Sequence, residues 1–119
     1  MKILHYEAPG NPVWKDVPTP EPEANQVLIK VLGISTCPHW DLHIMDGEEM
    51  LPGLALTYPY TPGQPGHEAM GEVVKVGADV TDFEPGMRVA AWRDQGQNRT
   101  GAYAQYAVFD ADSLLQTPT

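Results

Sequence analysis

Proline and glycine are distributed along the whole sequence and divide it into short apolar runs. There are 12 prolines and 11 glycines among the 119 residues. Proline lacks the backbone donor that helix and sheet interiors need, and glycine favours turns, so both residues tend to end regular elements. Short apolar runs between such turn residues are typical of all-β barrels and sandwiches. The sequence therefore predicts a mainly β fold, a small barrel with one or two short helices.

The strand pattern is clearest in residues 26–34. Val27 and Ile29 point one way and Lys30 points the other, because side chains alternate along a strand with a period of two. Residues 1–6 form a first apolar run, and we predict further strands at residues 68–76, 87–92 and 102–109. The last of these is predicted to be the final strand, since the tail 110–119 holds a single apolar pair.

Residues 38–47 have the start and stop signals of a short helix. Pro38 suits the first helical position, where no backbone donor is needed, and Gly47 suits the position just after the end. Residues 47–66 hold four prolines and four glycines with little periodicity, so we predict a long irregular loop there. Long loops inside compact domains are usually functional.

The size and charge of the chain exclude several classes of protein. A length of 119 residues suits one domain and cannot hold both a nucleotide-binding βαβαβ unit and a separate catalytic domain. The formal charge of −9 argues against a nucleic-acid partner, since lysine and arginine are few and scattered. No apolar run reaches the ~18–20 residues of a membrane helix, and the N-terminus lacks a secretory apolar region. A single cysteine cannot form an intrachain disulfide, which favours a cytoplasmic protein.

Six side chains of the kinds that bind metals or move protons lie in two short segments. They are Cys37, His39, Asp41, His43, His67 and Glu68. A thiolate, an imidazole and a carboxylate together suit Zn²⁺, and three protein ligands with one open position are typical of a catalytic zinc site. One cysteine excludes a Cys₄ structural site. The alternative, on spacing alone, is that Cys37 is a small buried apolar residue and that His67 and Glu68 form the polar edge of a loop.

His39 and His43 stand four positions apart and therefore share one face of the predicted helix. The pair could bind a metal, relay a proton or lie on the surface. Spacing alone favours two surface histidines.

Residues 66–80 carry the most specific pattern in the chain. Residues 66–71 read Gly-His-Glu-Ala-Met-Gly, and valines and a further glycine follow at regular positions. This segment resembles the signature of the zinc-containing alcohol dehydrogenases of the medium-chain dehydrogenase/reductase superfamily. Four flanking segments resemble other parts of that family in the same order, at residues 18–22, 27–37, 83–89 and 101–106. The resemblance covers nearly the whole chain.

The resemblance implies a GroES-like β-barrel, the catalytic domain of these dehydrogenases. By the same resemblance, Cys37 and His67 would be zinc ligands, and Glu68 would bind zinc directly or exchange with water or substrate. The fourth ligand would come from a residue beyond position 119. The implied substrates are small-molecule alcohols, aldehydes and ketones, with NAD(P) bound in the full-length enzyme by a Rossmann domain that is absent from this chain. A zinc-bound alcohol loses its proton near neutral pH and can then give a hydride to nicotinamide.

The segment after Cys37 departs from the family pattern by one extra residue. The family reads Cys-x-Ser/Thr-Asp-x-His, whereas residues 37–43 read Cys-Pro-His-Trp-Asp-Leu-His. Without a gap, His39 takes the position of the Ser/Thr that relays protons. With one gap, Asp41 and His43 match the family's Asp and His, and this register is preferred because it retains both. Asp41 would then orient a zinc ligand, His43 would be the outer member of a proton relay, and His39 would stand in for the missing hydroxyl.

Two functions from different classes follow. The first is the zinc-site, substrate-side domain of an NAD(P)-dependent alcohol dehydrogenase, part of a longer chain or naturally short, and inactive alone because it has no Gly-x-Gly-x-x-Gly. The alternative is a stand-alone GroES-like barrel that binds a metal or a partner without redox activity. A zinc-free, quinone-reductase-like member is disfavoured, since such members usually lack both the first cysteine and the Gly-His-Glu. A domain separated from its neighbour would expose apolar surface, which is compatible with a homo-oligomer.

Overall fold

The computed structural model describes residues 1–53 and 55–118. The elements in chain order are β1 (Lys2–Ala8), β2 (Asn11–Asp16), β3 (Gln26–Ser35), the helix α1 (Pro38–Asp46), β4 (Glu68–Val76), β5 (Arg88–Ala91), β6 (Tyr106–Asp110), a 3₁₀ turn (Ala111–Ser113) and β7 (Leu114–Gln116). The predicted mainly β fold with a short helix is confirmed. Across these described residues, no helix combines the length and the apolar character needed to cross a membrane.

The strands form two antiparallel sheets. Strands β1 and β2 make a hairpin, and the larger sheet has the order β6-β3-β4-β5-β7. The two sheets meet where Ile3 pairs with Ala104 and where the Leu4 N–H donates to the Tyr103 carbonyl at 2.8 Å. Strands β6 and β7 are the two ends of the larger sheet, so the described strands do not close into a hydrogen-bonded ring.

Alternating apolar side chains of β3 build the main core. Val27 and Ile29 are completely buried and Lys30 is exposed, as the period of two predicts. They pack with buried residues from the other strands of this sheet and the segments beside them: Ala69, Val73, Val89, Ala102, Ala107, Phe109 and Leu114. Full burial of a Val, Leu, Ile or Phe side chain contributes about 1.5–3 kcal/mol to the free energy of folding, so this cluster is the main source of stability in the larger sheet.

A second, smaller cluster fixes α1 against the hairpin. Ile44 of the helix is completely buried and packs with Tyr6 of β1 and Tyr60 of the loop before β4. The helix ends as predicted at Gly47, whose φ of 77° lies in the left-handed region that glycine tolerates. The Gly47 N–H donates to the carbonyl of His43 and satisfies one of the free helix-end acceptors.

The structure confirms the bounds of β4 and corrects the strand predicted at 102–109. Residues 47–66, as far as they are described, contain no helix or strand, as expected. Residues 102–105 are outside the regular pairing of β3 with β6. The N–H of Ala102 donates to the Gly66 carbonyl of the turn before β4, Ala104 pairs with Ile3 of β1, and the N–H of Gln105 donates to the Lys2 carbonyl. The strand β6 therefore begins only at Tyr106. Nor is it the final strand, since Leu114 is buried in the core and β7 pairs with β5.

Candidate metal and active site

The turn before β4 positions the candidate ligand His67. Gly63 lies in this turn with a φ of 76°, and a Cβ on Gly101 would come within 2.2 Å of the Gly63 carbonyl oxygen. The side chain of Gln64 is only 3% exposed, and its amide donates to two carbonyls of the loop 96–99, at 3.3 and 2.7 Å. Backbone packing and a buried amide therefore hold this turn in place.

His67 and Glu68 lie side by side at the entry to β4. The Nδ1 of His67 donates to the Pro65 carbonyl at 2.8 Å, since a carbonyl can only accept, so the neutral form of this ring has its lone pair on Nε2. That Nε2 is 3.5 Å from Oε1 of Glu68. The His67 side chain is 13% exposed and that of Glu68 is 54% exposed. A neutral imidazole held in this tautomer is the form that binds zinc or accepts a proton.

Both side chains line an open groove of about 620 Å³. Its other walls come from the end of β3, from β4 and from the residues that follow β5, including Ser35, Met70, Trp92 and Arg93. The guanidinium of Arg93 lies 5.3 Å from the centroid of the Trp92 ring. The groove therefore offers a small molecule space beside an imidazole and a carboxylate.

Cys37 is the partly buried residue immediately before α1. Its backbone N–H donates to Oδ2 of Asp41 at 2.9 Å, and the N–H of Asp41 donates back to the Cys37 carbonyl at 2.9 Å. The first of these bonds satisfies a free donor at the helix start, and the second is the first intrahelical hydrogen bond. Asp41 therefore contacts Cys37 through the backbone of the cysteine.

Tyr103 completes the surroundings of Asp41, and the sequence did not single it out. Its hydroxyl donates to Oδ1 of Asp41 at 2.8 Å and lies 3.0 Å from Oδ2. Burial, and next this hydrogen bond and the negative charge of Asp41, raise the pKa of Tyr103, so the phenol stays protonated at neutral pH. The one property that could have pointed to Tyr103 is that a tyrosine hydroxyl removed from water needs a hydrogen-bond partner. The partner lies 62 positions away, which no local pattern can indicate.

His39 and His43 share one face of α1, as their spacing predicts. Their ring centroids are 4.9 Å apart and their planes are tilted by 50°. The Nδ1 of His43 donates to the Glu48 carbonyl at 3.0 Å, so Nε2 is the acceptor in the neutral form of this ring. His39 is exposed, so the pair extends from the partly buried side of the helix to the surface.

The structure brings the candidate residues together in pairs. The pairs are His67 with Glu68, Cys37 with Asp41, and His39 with His43. Within residues 1–53 and 55–118, no three histidine, cysteine, aspartate or glutamate side chains are grouped so as to hold a metal ion. The donor types and the tautomer of His67 suit Zn²⁺, whereas Cys37 is not assembled with His67 and Glu68.

Known proteins resemble this chain over nearly its whole length. Residues 23–119 match the family described as the alcohol dehydrogenase GroES-like domain. An L-threonine 3-dehydrogenase of Anaeromyxobacter sp. (strain K) is 35% identical over 99% of this chain. The crystal structure of galactitol-1-phosphate dehydrogenase from Escherichia coli covers 100% of this chain with a TM-score of 0.81 at 23% identity, a likeness of fold alone. A dehydrogenase from Sinorhizobium meliloti 1021, solved bound to NADP, covers 98% with a TM-score of 0.77 at 26% identity.

The chain spans about two fifths of the length of these proteins. It covers 40% of the L-threonine 3-dehydrogenase and 38% of each of the two solved chains. All three relatives are dehydrogenases, and the family match includes the Gly-His-Glu segment and both halves of the candidate site. The resemblance noted in the sequence is therefore confirmed, and the chain belongs to the family of alcohol dehydrogenase GroES-like domains.

Proposed function

We propose that this chain is the zinc-site, substrate-side domain of an NAD(P)-dependent dehydrogenase that oxidises alcohols or reduces aldehydes and ketones. The observation that carries the proposal is the orientation of the His67 ring. Its Nδ1 is committed to the Pro65 carbonyl, so Nε2 is the nitrogen that faces Glu68, in a groove large enough for a small substrate. The family match and the dehydrogenase relatives support the same function.

Zinc would be held by Cys37, His67 and Glu68, with a fourth ligand from outside this chain. When bound, zinc supplies the Lewis acidity that makes an alcohol hydroxyl acidic near neutral pH, and NAD(P) accepts the hydride. The chain's own contribution is to present a cysteine sulfur, an imidazole and a carboxyl group from two elements, the start of α1 and the start of β4. Glu68, whose side chain is half-exposed, would be the ligand able to exchange with water or substrate.

The histidine pair of α1 would carry the substrate proton to solvent. Nδ1 of His43 donates to the Glu48 carbonyl, so Nε2 is the nitrogen left to exchange a proton. The ring of His39, whose centroid is 4.9 Å away, is exposed and can pass a proton to water. This order is the reverse of the one that the family resemblance implies, in which His43 is the outer member. An imidazole suits such a relay because it can accept a proton on one nitrogen and release one from the other.

The dinucleotide would be bound by a Rossmann domain that is not part of this chain. The sequence has no Gly-x-Gly-x-x-Gly, the turn that places a pyrophosphate on a helix N-terminus. We therefore expect the 119-residue chain alone not to oxidise alcohols with NAD(P). Turnover by the purified chain would refute this division of roles.

Metal binding tests the assigned ligands directly. Zinc affinity would be measured by calorimetry for the wild type and for Cys37→Ser, His67→Ala and Glu68→Gln. Removing the cysteine or the histidine should weaken binding by more than the roughly 10–100-fold typical of losing a group that only supports a ligand. The matched control is Glu72→Gln, further along β4, which should bind as the wild type does. Equal zinc affinity in all five proteins would refute the site.

A chimera distinguishes the dehydrogenase from a barrel without redox activity. The chain would replace the corresponding domain of the L-threonine 3-dehydrogenase, of which it covers 40%. Turnover of any member of a panel of alcohols that includes L-threonine would support the dehydrogenase. A chimera that binds both zinc and NAD(P) but turns over none of the panel would favour the non-redox barrel.

A further inference from the structure

We propose that Tyr103 is a positioning residue for Cys37 and that it acts through the carboxylate of Asp41. The inference rests on the proposed function only for its consequence at the metal. The positioning itself concerns contacts within this chain and can be tested without any metal.

The first step is the contact between Tyr103 and Asp41. An ionised carboxylate can only accept hydrogen bonds, so the phenol is the donor in the 2.8 Å bond to Oδ1. The same carboxylate accepts the backbone N–H of Cys37 on Oδ2 at 2.9 Å. One carboxylate therefore ties a phenol on one side to the backbone of the candidate thiolate ligand on the other. If the phenol were removed, only the hydrogen bond from the Cys37 N–H would remain of these two to fix the rotamer of Asp41.

The second step is what holds Tyr103 itself. Its backbone N–H donates to the Gly63 carbonyl at 3.0 Å, and the N–H of Ala102 donates to the Gly66 carbonyl at 2.8 Å. A Cβ on Gly66 would lie 2.7 Å from the Tyr103 nitrogen, so the turn and Tyr103 are in direct backbone contact. That turn leads directly into His67. Tyr103 therefore connects the turn that carries the histidine with the helix start that carries the cysteine.

The third step is the consequence for ligand assembly. Cys37 and His67 are not gathered with Glu68, so binding a metal must fix the thiolate relative to the imidazole. Because Tyr103 already connects the two segments, fixing the thiolate relative to the imidazole costs less free energy. Groups that orient a metal ligand typically contribute about 10–100-fold to metal affinity. We expect Tyr103→Phe, which removes one hydroxyl and keeps the ring, to lower affinity about tenfold.

The metal-independent test is amide hydrogen exchange at Cys37, measured by NMR. Tyr103→Phe should speed exchange of this N–H, because the carboxylate that accepts it loses its second anchor. The matched control is Tyr58→Phe, which removes a phenol that donates to the Ile44 carbonyl of the same helix. A general loosening of α1 would raise exchange at Cys37 in both variants. Equal exchange in the two variants, or no change in either, would overturn the positioning role.

The metal-dependent test is a double-mutant cycle with Co²⁺ as the probe. Absorption from thiolate-to-cobalt charge transfer reports Cys37 specifically, so the band should be absent in Cys37→Ser. Tyr103→Phe should lower Co²⁺ affinity about tenfold in the wild-type background and leave it unchanged in the Cys37→Ser background. Equal losses in both backgrounds would mean a merely structural effect and would overturn the inference.

The two proposals fail in different ways. If wild-type protein shows no charge-transfer band, the ligand assignment of the proposed function is wrong and the consequence at the metal falls with it. If the band is present and Tyr103→Phe binds Co²⁺ as the wild type does, only the inference about Tyr103 is refuted. Asp41→Asn provides a second route to the same answer, because an amide at this position weakens both bonds without removing the tyrosine.

Discussion

Replacing Gly101 by alanine should destabilise the domain by a steric effect at the turn before β4. A Cβ on Gly101 would lie 2.2 Å from the carbonyl oxygen of Gly63 and 2.7 Å from the nitrogen of Gln64. Both are backbone atoms, so no side-chain rotation can relieve the contact. Restoring even a 3.0 Å separation requires a displacement of 3.0 − 2.2 = 0.8 Å between the two segments.

The magnitude follows from the hydrogen bonds that cross this contact. The N–H groups of Gly101, Ala102 and Tyr103 donate to carbonyls of residues 62, 66 and 63 at 2.8, 2.8 and 3.0 Å. A shift of 0.8 Å would lengthen them to about 3.6 Å or more, beyond a useful hydrogen bond. At about 1 kcal/mol net for each, the loss is about 3 kcal/mol, a large part of the 5–15 kcal/mol typical of a domain.

The assay is urea unfolding followed by tryptophan fluorescence. The matched control is Gly33→Ala in β3, where a Cβ would meet only the flexible side chain of Met70, at 3.4 Å. That control should change the free energy of unfolding by less than about 1 kcal/mol, since glycine is unfavourable inside strands. A Gly101→Ala variant within about 0.5 kcal/mol of the wild type, with an unchanged m-value, would refute the steric argument.

Three further perturbations test other parts of the fold. Ile44→Ala should cost about 2–5 kcal/mol in the same urea assay, and a loss under about 1 kcal/mol would mean that the second cluster does not hold α1. The two 2.8 Å hydrogen bonds from Arg99 lower the pKa of Asp110 below its ordinary 3.8, so this stabilisation is complete above about pH 4 and is lost as the pH falls through the lower native value. Asp110→Asn should flatten the acid side of the stability–pH curve, and an acid side as steep as in the wild type would contradict the pairing. Burial raises the pKa of Tyr60 from 10 to about 12, so its contribution is complete below pH 10 and is lost as the pH rises toward 12. Tyr60→Phe should remove this contribution to the loss of thermal stability above pH 10. If the melting temperature of the variant falls with rising pH as steeply as that of the wild type, the raised pKa of Tyr60 is refuted.

Local patterns were sufficient for the elements whose burial alternates along the chain. In β3, Val27 and Ile29 enter the main core and Lys30 on the opposite face is exposed, as the period of two requires. Leu28 shares the face of Lys30 and is nevertheless buried, which the alternation alone does not predict. The helix α1 was predictable because Pro38 and Gly47 act at its own ends. The pattern failed at residues 102–105 because their backbone bonds to partners that are distant in the sequence. Residues 102 and 103 donate to the turn before β4, and residues 103–105 pair with β1.

In the candidate site, too, local patterns predicted some features and distant contacts determined the others. His67 and Glu68 are adjacent in the sequence, and their motif identified them. The reciprocal bonds of Cys37 and Asp41 span four positions, within the reach of helix geometry. The role of Tyr103 could not be predicted, since its contact with Asp41 depends on how β1, α1 and the turn before β4 are packed. Sequence patterns therefore indicated the candidate residues other than Tyr103, and the fold determined which of them contact one another.

The glycines that predicted a turn-rich β fold have a second role at the site. Gly63, Gly66 and Gly101 form one contact region in which a Cβ at any of the three would lie within 3 Å of backbone. That close approach lets Tyr103 bond to the turn before His67 and still reach Asp41. If the approach is necessary for the site, Gly66→Ala should weaken Co²⁺ binding as Tyr103→Phe does, because the new Cβ meets the Tyr103 backbone and ring carbon at 2.7 and 2.8 Å. A Gly66→Ala variant that is less stable but binds Co²⁺ with unchanged affinity would separate the role of glycine in folding from any role in the site.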